Sequence, residues 1–266
     1  MTLLVFFAKH PVFTLDDLRS CHDLDASNNT RSREAILAYH VRQGRLVRVR
    51  KGLYATVPAG GEPAACPVDP YLVASKLSGD AVLSYHTALE VYGKAYSVFE
   101  RYTFQSGKPL RPVCFRNLRF DCALFPKALR DAKEEHFATT TVERLGLDLR
   151  VATLERTLVD VLDRPDLGGG WEEIWRSLET IEYFNLDLVV DYVCRLHNST
   201  TAAKVGYYLQ QHARLLMVED KHLDRLRELL PKQPHYLERG KGGKFVREWN
   251  LVVPAALAER RWEEVT

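Results

Sequence analysis

The stretch RSREAILAYHVRQGRLVRVRKGLYATV, from Arg31 to Val57, determines how the N-terminal part of this chain is expected to fold. It contains seven Lys or Arg residues and a single acid, Glu34. A helix is predicted from about Asn29 or Thr30 to Gln43, because Gly44 follows as a typical helix stop. The runs LVRVR and LYATV then alternate around a Lys-Gly turn, which predicts a short β-hairpin.

Two shorter helical segments are predicted upstream of this stretch. The apolar opening, roughly Thr2 to Lys9, stops before Pro11, and the second segment begins at FTLDDL. There Thr14 suits the N-cap position, and Asp17 stands three residues later at the capping-box position. Helix, short turn, helix and a two-stranded basic hairpin follow one another in the order of a winged helix-turn-helix.

The predicted third helix separates its side chains into two faces. At helical spacing, Leu37, His40 and Val41 fall on one side and are expected to face the core. The opposite side has a small residue at its centre, polar or basic residues towards its N-terminus and one aromatic: Arg31, Ser32, Ala35, Tyr39 and Arg42. A recognition helix needs such a face, because its N-terminal residues approach base edges in the major groove.

The predicted hairpin matches the wing of such a domain. Arg48 and Arg50 alternate with two valines, so both arginines are expected on one face of the strand. Lys51 at the tip and Arg45 at the base extend them into a track of cations. Contacts to DNA phosphates supply affinity and register rather than sequence information, and this is the role expected of the wing.

The positive charge of the chain is concentrated at its N-terminus. Residues 1–57 contain nine Lys or Arg against five acids, a net charge of +4, whereas the whole chain carries +2, so the other 209 residues sum to −2. With 266 residues, 46% hydrophobic and 27% charged, the composition is that of an ordinary globular protein. A basic module joined to a nearly neutral body is therefore predicted, and two domains are the natural expectation for this length.

The remaining sequence divides by composition and periodicity. A Pro-, Gly- and Ala-rich segment reads as a linker, alternating runs predict strands after it, and amphipathic periods predict helices later. The chain ends in a segment that predicts a hairpin around a Gly-rich turn. The predicted fold class is α+β, with an N-terminal winged helix-turn-helix followed by a larger mixed α/β domain with a helical C-terminal half. The predicted domain boundaries are 1–57 for the winged helix-turn-helix domain, 58–70 for the linker and 71–266 for the larger domain. The larger domain is predicted to be strand-rich at 95–152 and mainly helical at 153–230, with a terminal hairpin at 234–254.

The cysteines and the apolar segments indicate a cytoplasmic protein. Five cysteines stand at wide, irregular spacings without a C-x-x-C pair, which favours neither a disulfide framework nor a zinc ribbon. The LLVFFA run near the start is too short to span a bilayer, and it lacks the basic flank and cleavage site of a signal peptide. We therefore expect a reducing compartment and no association with membrane.

Three other constellations are better explained by structural roles than by catalysis. Ser84 and His86 stand two apart in a predicted helix and point away from each other, so Ser84 is expected to cap that helix. Glu155 and Asp163 share a helix face that a metal-dependent nuclease could use, but no acid-x-Lys strand accompanies them. The ERGKGGK segment lacks the spacing of a phosphate-binding loop, and no histidine spacing matches a metal site. Neither a cofactor nor a metal is expected.

Three blocks of this sequence resemble the AbiEi family, the antitoxin and transcriptional-regulator half of type IV abortive-infection toxin–antitoxin pairs. The blocks are RQGRLVRVRKGLYAT, DAVLSYHTALEVYG and RVATLERTLVDVLDRP, and the terminal EWNLVVP also fits such relatives. The resemblance implies an N-terminal DNA-binding domain that represses its own operon and a larger C-terminal domain responsible for antitoxicity. It also implies a functional link to a nucleotidyltransferase-like toxin encoded next door, often without a stable complex.

Carried onto this sequence, the resemblance implies DNA contacts at Thr30 to Arg33, at Arg42 and along the wing from Arg45 to Lys51, in the region that helix geometry also selects. The residues predicted to bind DNA are therefore Thr30, Arg31, Ser32, Arg33, Ala35, Tyr39, Arg42, Arg45, Arg48, Arg50 and Lys51. We expect a cytoplasmic repressor and antitoxin without catalytic activity, whose partner is double-stranded DNA at its own promoter. Two alternatives stay open: a metal-dependent nucleic-acid enzyme using C-terminal acidic residues, and a winged-helix module that binds a protein.

Overall fold

The computed structural model describes residues 2–20, 30–238 and 240–259 and, of residues 19, 20 and 30–32, the backbone alone. The described residues form a mixed α+β fold with eleven α-helices and three β-sheets, as the sequence predicts at this level. The chain divides into two compact units, the first comprising Met1–Leu83, Glu100–Ala123 and Thr141–Val151 and the second Ser84–Phe99, Leu124–Thr140 and Ala152–Thr266. The division of the sequence at 58–70 stays a prediction.

The first unit begins with a small antiparallel sheet and the helices around it. Its elements are α1 (Leu3–Lys9), β1 (Val12–Thr14), a 3₁₀ turn (Asp17–Ser20), α2 (Thr30–Arg42), β2 (Leu46–Arg50) and β3 (Leu53–Thr56). The strands lie in the order β1-β3-β2, with β3 antiparallel to both neighbours. The predicted first helix, third helix and hairpin are thus confirmed. The predicted second helix starts as the 3₁₀ turn, and residues 21–29 lie outside the described part.

The rest of the first unit is built on a six-stranded sheet. Its elements are α3 (Pro70–Lys76), β4 (Val82–Leu83), β5 (Arg101–Ser106), β6 (Val113–Phe115), β7 (Leu118–Leu124), β8 (Thr139–Arg144) and β9 (Leu147–Ala152). The strand order is β6-β7-β5-β4-β9-β8, with β4 antiparallel to β5 and parallel to β9. β4 lies between β5 and β9 and joins the two halves of this sheet. Because β4 is only two residues long, few residues pair at this junction.

The Pro- and Gly-rich segment before α3 is held by arginines of this sheet. Arg116 donates from Nη1 to the carbonyl oxygen of Cys66 at 2.6 Å and from Nη2 to that of Pro63 at 2.9 Å. Asp69 caps α3 by accepting from the Leu72 backbone N–H at 2.9 Å, and it also accepts from Arg144 Nε at 2.6 Å. Side chains therefore fix the end of this segment and the start of α3.

The second unit is mainly helical. Its elements are α4 (His86–Val91), α5 (Lys127–Ala132), α6 (Leu154–Asp163), α7 (Trp171–Glu179), α8 (Leu186–Leu196), α9 (Ser199–Gln211), α10 (Asp220–Arg227) and α11 (Ala255–Ala258), with strands β10 (His235–Tyr236), β11 (Lys244–Val246) and β12 (Leu251–Val253). The strand segments on either side of the Gly-rich turn do not pair with each other. Each pairs with β12, β10 in parallel and β11 antiparallel, so the expected hairpin around that turn is wrong.

Ser84 is not the N-cap residue of α4, contrary to the prediction. The N-cap residue is Tyr85, whose φ of +57° lies in the left-handed region, and it makes no side-chain cap hydrogen bond. Ser84 is fully buried one position earlier. The backbone turn at Tyr85 shifts the start of the helix by one residue, which a cap assignment from residue type alone does not reveal.

A buried polar cluster lies in the core of the second unit. Arg156 is fully buried and donates from Nη1 to the carbonyl oxygens of Glu135 at 2.8 Å and Phe137 at 2.7 Å. Its Nε lies 3.5 Å from Asp160 Oδ2, and Tyr192 donates its hydroxyl to Asp160 Oδ1 at 2.6 Å. Burial raises the pKa of Asp160 to about 6, although Arg156 acts in the opposite direction. At neutral pH the cluster is therefore a buried ion pair with a phenol bound to it.

We expect Asp160→Ala to lower the free energy of unfolding by about 3–5 kcal/mol, because Arg156 then keeps its charge in the core without a carboxylate. Thermal or urea unfolding measures the loss. The matched control is Asp166→Ala, which breaks the exposed pair with Arg164 and is expected to cost less than about 1 kcal/mol. Equal losses in the two variants would contradict a structural role for the buried pair.

His40 contributes to the core of the first unit. Only 7% of its side chain is exposed, and its ring packs edge-on against Phe7 with centroids 5.1 Å apart. Burial, followed by the charge of Arg45, lowers the pKa of His40 below its ordinary 6.5. The folded protein therefore holds this imidazole neutral at a pH at which the unfolded chain already binds a proton.

This shift predicts a loss of stability on acidification. Because the unfolded state binds the proton first, the contribution of His40 is complete above about pH 6.5 and is lost as the pH falls towards the lowered pKa. In His40→Gln this component is absent, so the difference in unfolding free energy between wild type and variant should shrink between about pH 8 and about pH 5. Denaturant unfolding at both pH values measures it, and a constant difference would refute the neutral buried state.

Candidate nucleic-acid interface

The end of α2 is set by a glycine-dependent cap. The Gly44 N–H donates to the Val41 carbonyl at 3.0 Å, the Arg45 N–H donates to the His40 carbonyl at 3.0 Å, and Gly44 has a φ of +69°. This is the pattern of a Schellman motif, in which a glycine adopts the left-handed conformation that closes the last turn. The cap ends the helix at a fixed point and directs the chain into β2.

The inner face of α2 is buried as predicted. Leu37 is fully buried in an apolar cluster, and Ile36 and Val41 pack against it from the edge. The other members of the cluster come from α1, β1, the 3₁₀ turn and the hairpin: Phe6, Phe7, Phe13, Leu18, Leu46 and Tyr54. Since this cluster occupies one side of the helix, the other side is left to face solvent.

The outer face of α2 carries most of the residues predicted to bind DNA. Tyr39 is 48% exposed, and Ala35 and Arg42 are exposed beside it. Arg33 is half-buried. Thr30, Arg31 and Ser32 form the first turn of α2, but their side chains lie outside the described part of the chain. Their contacts stay a prediction.

The hairpin is irregular at the point where the sequence expected regular alternation. Arg48 is paired with Tyr54 and Arg50 with Leu53, so the register shifts at Val49. Such a bulge leaves one extra residue in one strand and turns the following side chain. Arg48 is exposed, whereas Arg50 is half-buried and donates from Nη2 to the Leu77 carbonyl at 2.7 Å. The two arginines line different clefts and do not share one open face.

A cleft of about 420 Å³ separates the outer edge of α2 from the hairpin. It is lined by Glu34, Ala38, Val41, Arg42, Arg48, Lys51 and Tyr54. Among the described residues, the side chains of Arg48 and Lys51 have no hydrogen-bond or ion-pair partner, and the Arg42 side chain makes only a long bond to its own helix at 3.4 Å. The cleft thus presents unengaged cations on both sides, with Glu34 as the acid in its wall.

Sequence reasoning missed four residues of this cleft. Glu34, Ala38 and Val41 follow each other at helical spacing, so their common edge could have been found by continuing the helix geometry. Tyr54 could not have been found in this way. Its position depends on the hairpin register and on packing against Phe13, with ring centroids 5.9 Å apart. Burial raises the pKa of Tyr54, Arg48 opposes the rise, and Glu34 adds to it.

The residues considered for catalysis make structural contacts in the second unit. Glu155 accepts from the Asn185 backbone N–H at 3.1 Å, and Asp163 accepts from Asn198 Nδ2 at 3.3 Å and from the Thr201 hydroxyl. His86 lies 3.0 Å from Glu173 Oε1 through Nε2 and is almost fully buried. In the part of the chain that the structure describes, no three His, Cys, Asp or Glu residues are grouped as a metal site requires.

None of the helices in the described ranges combines the length and the apolar character that a membrane span needs.

Comparisons with known proteins bear on the fold and on the N-terminal part. The crystal structure of the RV2827C protein from Mycobacterium tuberculosis is similar to this chain, with a TM-score of 0.57 and 18% identity over 98% of this chain and 93% of that one. At this identity the similarity shows a shared fold. A search of curated proteins gave no match. Residues 1–57 match the family described as transcriptional regulator, AbiEi antitoxin, which confirms the resemblance seen in the sequence for this part of the chain.

Proposed function

We propose that this protein is a DNA-binding transcriptional repressor that acts on its own operon, with residues 1–57 forming a winged helix-turn-helix. The order of α1, β1, the 3₁₀ turn, α2 and the β2–β3 hairpin supports this reading. So does the small sheet in the order β1-β3-β2, because it places the hairpin beside the sheet as a wing. The family match over the same residues agrees with a regulator.

The observation that carries the proposal is the cleft between α2 and the hairpin. Arg42 stands on its helix side, and Arg48 and Lys51 stand on its hairpin side. DNA phosphates attract such cations and release bound counterions when they are neutralised. With Tyr39 exposed on the neighbouring helix face, the surface offers both phosphate contacts and an aromatic group for a groove.

The mechanism follows from this geometry. The outer face of α2 enters the major groove, with Ala35 leaving room for close approach and Tyr39 meeting a thymine methyl. Arg31 and Ser32, in the first turn, read base edges. Arg48 and Lys51 hold the adjacent phosphate strand and fix the register of the helix. Repression results because a protein bound across the promoter occupies the site that the polymerase needs.

We further propose that the protein is the antitoxin of a toxin–antitoxin pair and has no catalytic role. The support is the description of the family that matches the N-terminal residues. The antitoxic function would belong to the residues after the DNA-binding part, acting on a nucleotidyltransferase-like toxin. Coexpression with the neighbouring gene tests this: relief of growth arrest by the full chain carrying Arg31→Ala and Arg48→Gln, which no longer represses, would separate the two roles, and growth arrest that persists with the wild-type protein would refute the antitoxin role.

Two other classes are distinguished by direct measurements. A metal-dependent nuclease using Glu155 or Asp163 would cleave DNA in the presence of Mg²⁺ and lose that activity in Glu155→Ala. The contacts of both acids with backbone and side-chain donors argue for a structural role instead. A protein-binding winged helix would show binding that does not respond to DNA or salt.

The decisive measurement is binding of the purified protein to its own upstream DNA and to a scrambled fragment over a salt series. We expect preference for the upstream fragment and an affinity that falls with salt at a slope of about 0.9 per neutralised phosphate on logarithmic axes. Equal and weak binding to both fragments would refute self-regulation, and the function would then have to be sought in the second unit.

Single variants should separate the reading of bases from the binding of phosphates. Arg48→Gln is expected to weaken binding to every sequence and to lower the salt slope by about one unit, because one phosphate contact is lost. Arg31→Ala is expected to weaken binding by about 1–3 kcal/mol at one operator position and to relax specificity there. The matched control is Arg214→Gln, an exposed arginine of the second unit, which should leave binding unchanged. Identical effects of Arg48→Gln and Arg31→Ala would contradict the division of roles.

A further inference from the structure

We propose that Arg50 and Lys76 are positioning residues of the DNA-binding surface, and that the C-terminal end of α3 holds the wing and the turn after β1 in the pose that docks on DNA. The inference rests on the proposed function and deepens it. It assigns Arg50 a role different from the phosphate contact that the sequence predicts. It also assigns a role to Lys76, which lies outside the segment predicted to bind DNA.

Arg50 connects the wing, the β2–β3 hairpin, to the end of α3 by a hydrogen bond. Its guanidinium donates from Nη2 to the carbonyl oxygen of Leu77 at 2.7 Å, and Nε is buried. Leu77 is 3% exposed, so its carbonyl belongs to a buried residue next to the end of α3. Moving Arg50 outward to a phosphate would break this bond and leave the buried acceptor unsatisfied, which is unfavourable.

Lys76 fastens the turn after β1 to the same end of α3. Its ammonium lies 3.0 Å from Asp17 Oδ2 and 3.1 Å from Oδ1. Asp17 in turn accepts from the Thr14 backbone N–H at 2.7 Å and from the Thr14 hydroxyl at 3.0 Å. Burial acts to raise the pKa of Asp17, but the bonds from Thr14 and Lys76 outweigh it and keep the pKa below its ordinary value.

The two fastened segments are also bonded to each other. The Leu15 N–H, in the turn after β1, donates to the carbonyl oxygen of Gly52 in the wing at 3.2 Å. Gly52 has a φ of +81°, which suits the tight turn between β2 and β3. Three contacts therefore link the wing, this turn and the end of α3 to one another. We call this set of contacts the α3 clamp: Asp17–Lys76, Leu77–Arg50 and Gly52–Leu15.

The α3 helix is a rigid reference for this clamp. Its N-terminus is capped by Asp69, which is also bound by Arg144 of the six-stranded sheet. The guanidinium of Arg144 stacks over the ring of Tyr71 at 4.4 Å. Leu72 and Val73 are fully buried, so the helix is held on both its polar and its apolar side. A wing tied to such an element loses less freedom on binding DNA, and preorganisation of this kind strengthens affinity.

A positioning role and a phosphate contact predict different salt dependences of DNA binding for these variants. Arg50→Gln and Lys76→Gln should each weaken binding to upstream DNA about tenfold, the size of one lost charge-assisted hydrogen bond. Because no phosphate contact is removed, the salt slope should stay at the wild-type value, whereas Arg48→Gln lowers it by about one unit. The control is Arg150→Gln, an exposed cation lining the same 520 Å³ cleft as Arg50 and Lys76, which should change neither quantity.

Amide hydrogen exchange supplies a readout that is independent of DNA. The Leu15 N–H, bonded to Gly52, should exchange faster in both clamp variants than in wild type or Arg150→Gln. A fall of about one unit in the salt slope of Arg50→Gln would overturn the proposal and make Arg50 a phosphate contact. Unchanged affinity and exchange in Lys76→Gln would also overturn it.

The two variants are used together so that a folding failure in one leaves the test standing, and thermal unfolding confirms that each is folded. If the wild-type protein does not bind upstream DNA, the proposed function fails. Slower exchange of Leu15 in wild type than in the variants would then still establish the clamp as a structural unit, with its role in DNA binding rejected.

Discussion

The packing of α2 on the small sheet is the constraint on which the proposed DNA surface depends. Leu37 is buried in one cluster with Phe7, Phe13 and Tyr54, and among the described residues this inner face carries the apolar contacts of the helix, which leaves the outer face open for the proposed groove contact. Small domains bury a modest fraction of their surface and are marginally stable alone. Additional attachment is therefore to be expected, and the bonds to Lys76 and Leu77 supply it from outside the small core.

The cluster around Leu37 and the polar cluster of the second unit are stabilised in different ways. The cluster around Leu37 consists of aromatic and aliphatic side chains, with His40 packed edge-on against Phe7. The second unit places Arg156, Asp160 and Tyr192 inside its core, where each buried donor or acceptor depends on the others. A core of this kind tolerates few substitutions, since removing one member leaves a buried charge. The Tyr192 hydroxyl thus links α8 to the Asp160 carboxylate of α6 inside the core.

Local patterns predicted α2, the hairpin and the exposed helix face, because helix periodicity, a glycine stop at Gly44 and strand alternation act over a few residues. What they could not predict depends on longer contacts. The bulge at Val49 redirects Arg50, and nothing in an alternating sequence marks it. Parallel pairing of β10 with β12 joins segments that are distant in the chain, so the simple terminal hairpin was wrong. The turn at Tyr85 likewise moved the start of α4.

The same longer contacts explain why a count of cations overstates the charge available at the proposed DNA surface. Arg50 is bound to a backbone carbonyl, Arg116 bridges two of them, and Arg144 is paired with Asp69. Each of these uses the planar, multiple donors of a guanidinium to join segments. Attraction of a phosphate needs only an accessible positive charge. The cleft beside α2 accordingly presents both arginine and lysine, at Arg48 and Lys51, whereas Arg50, Arg116 and Arg144 are engaged in contacts within the fold.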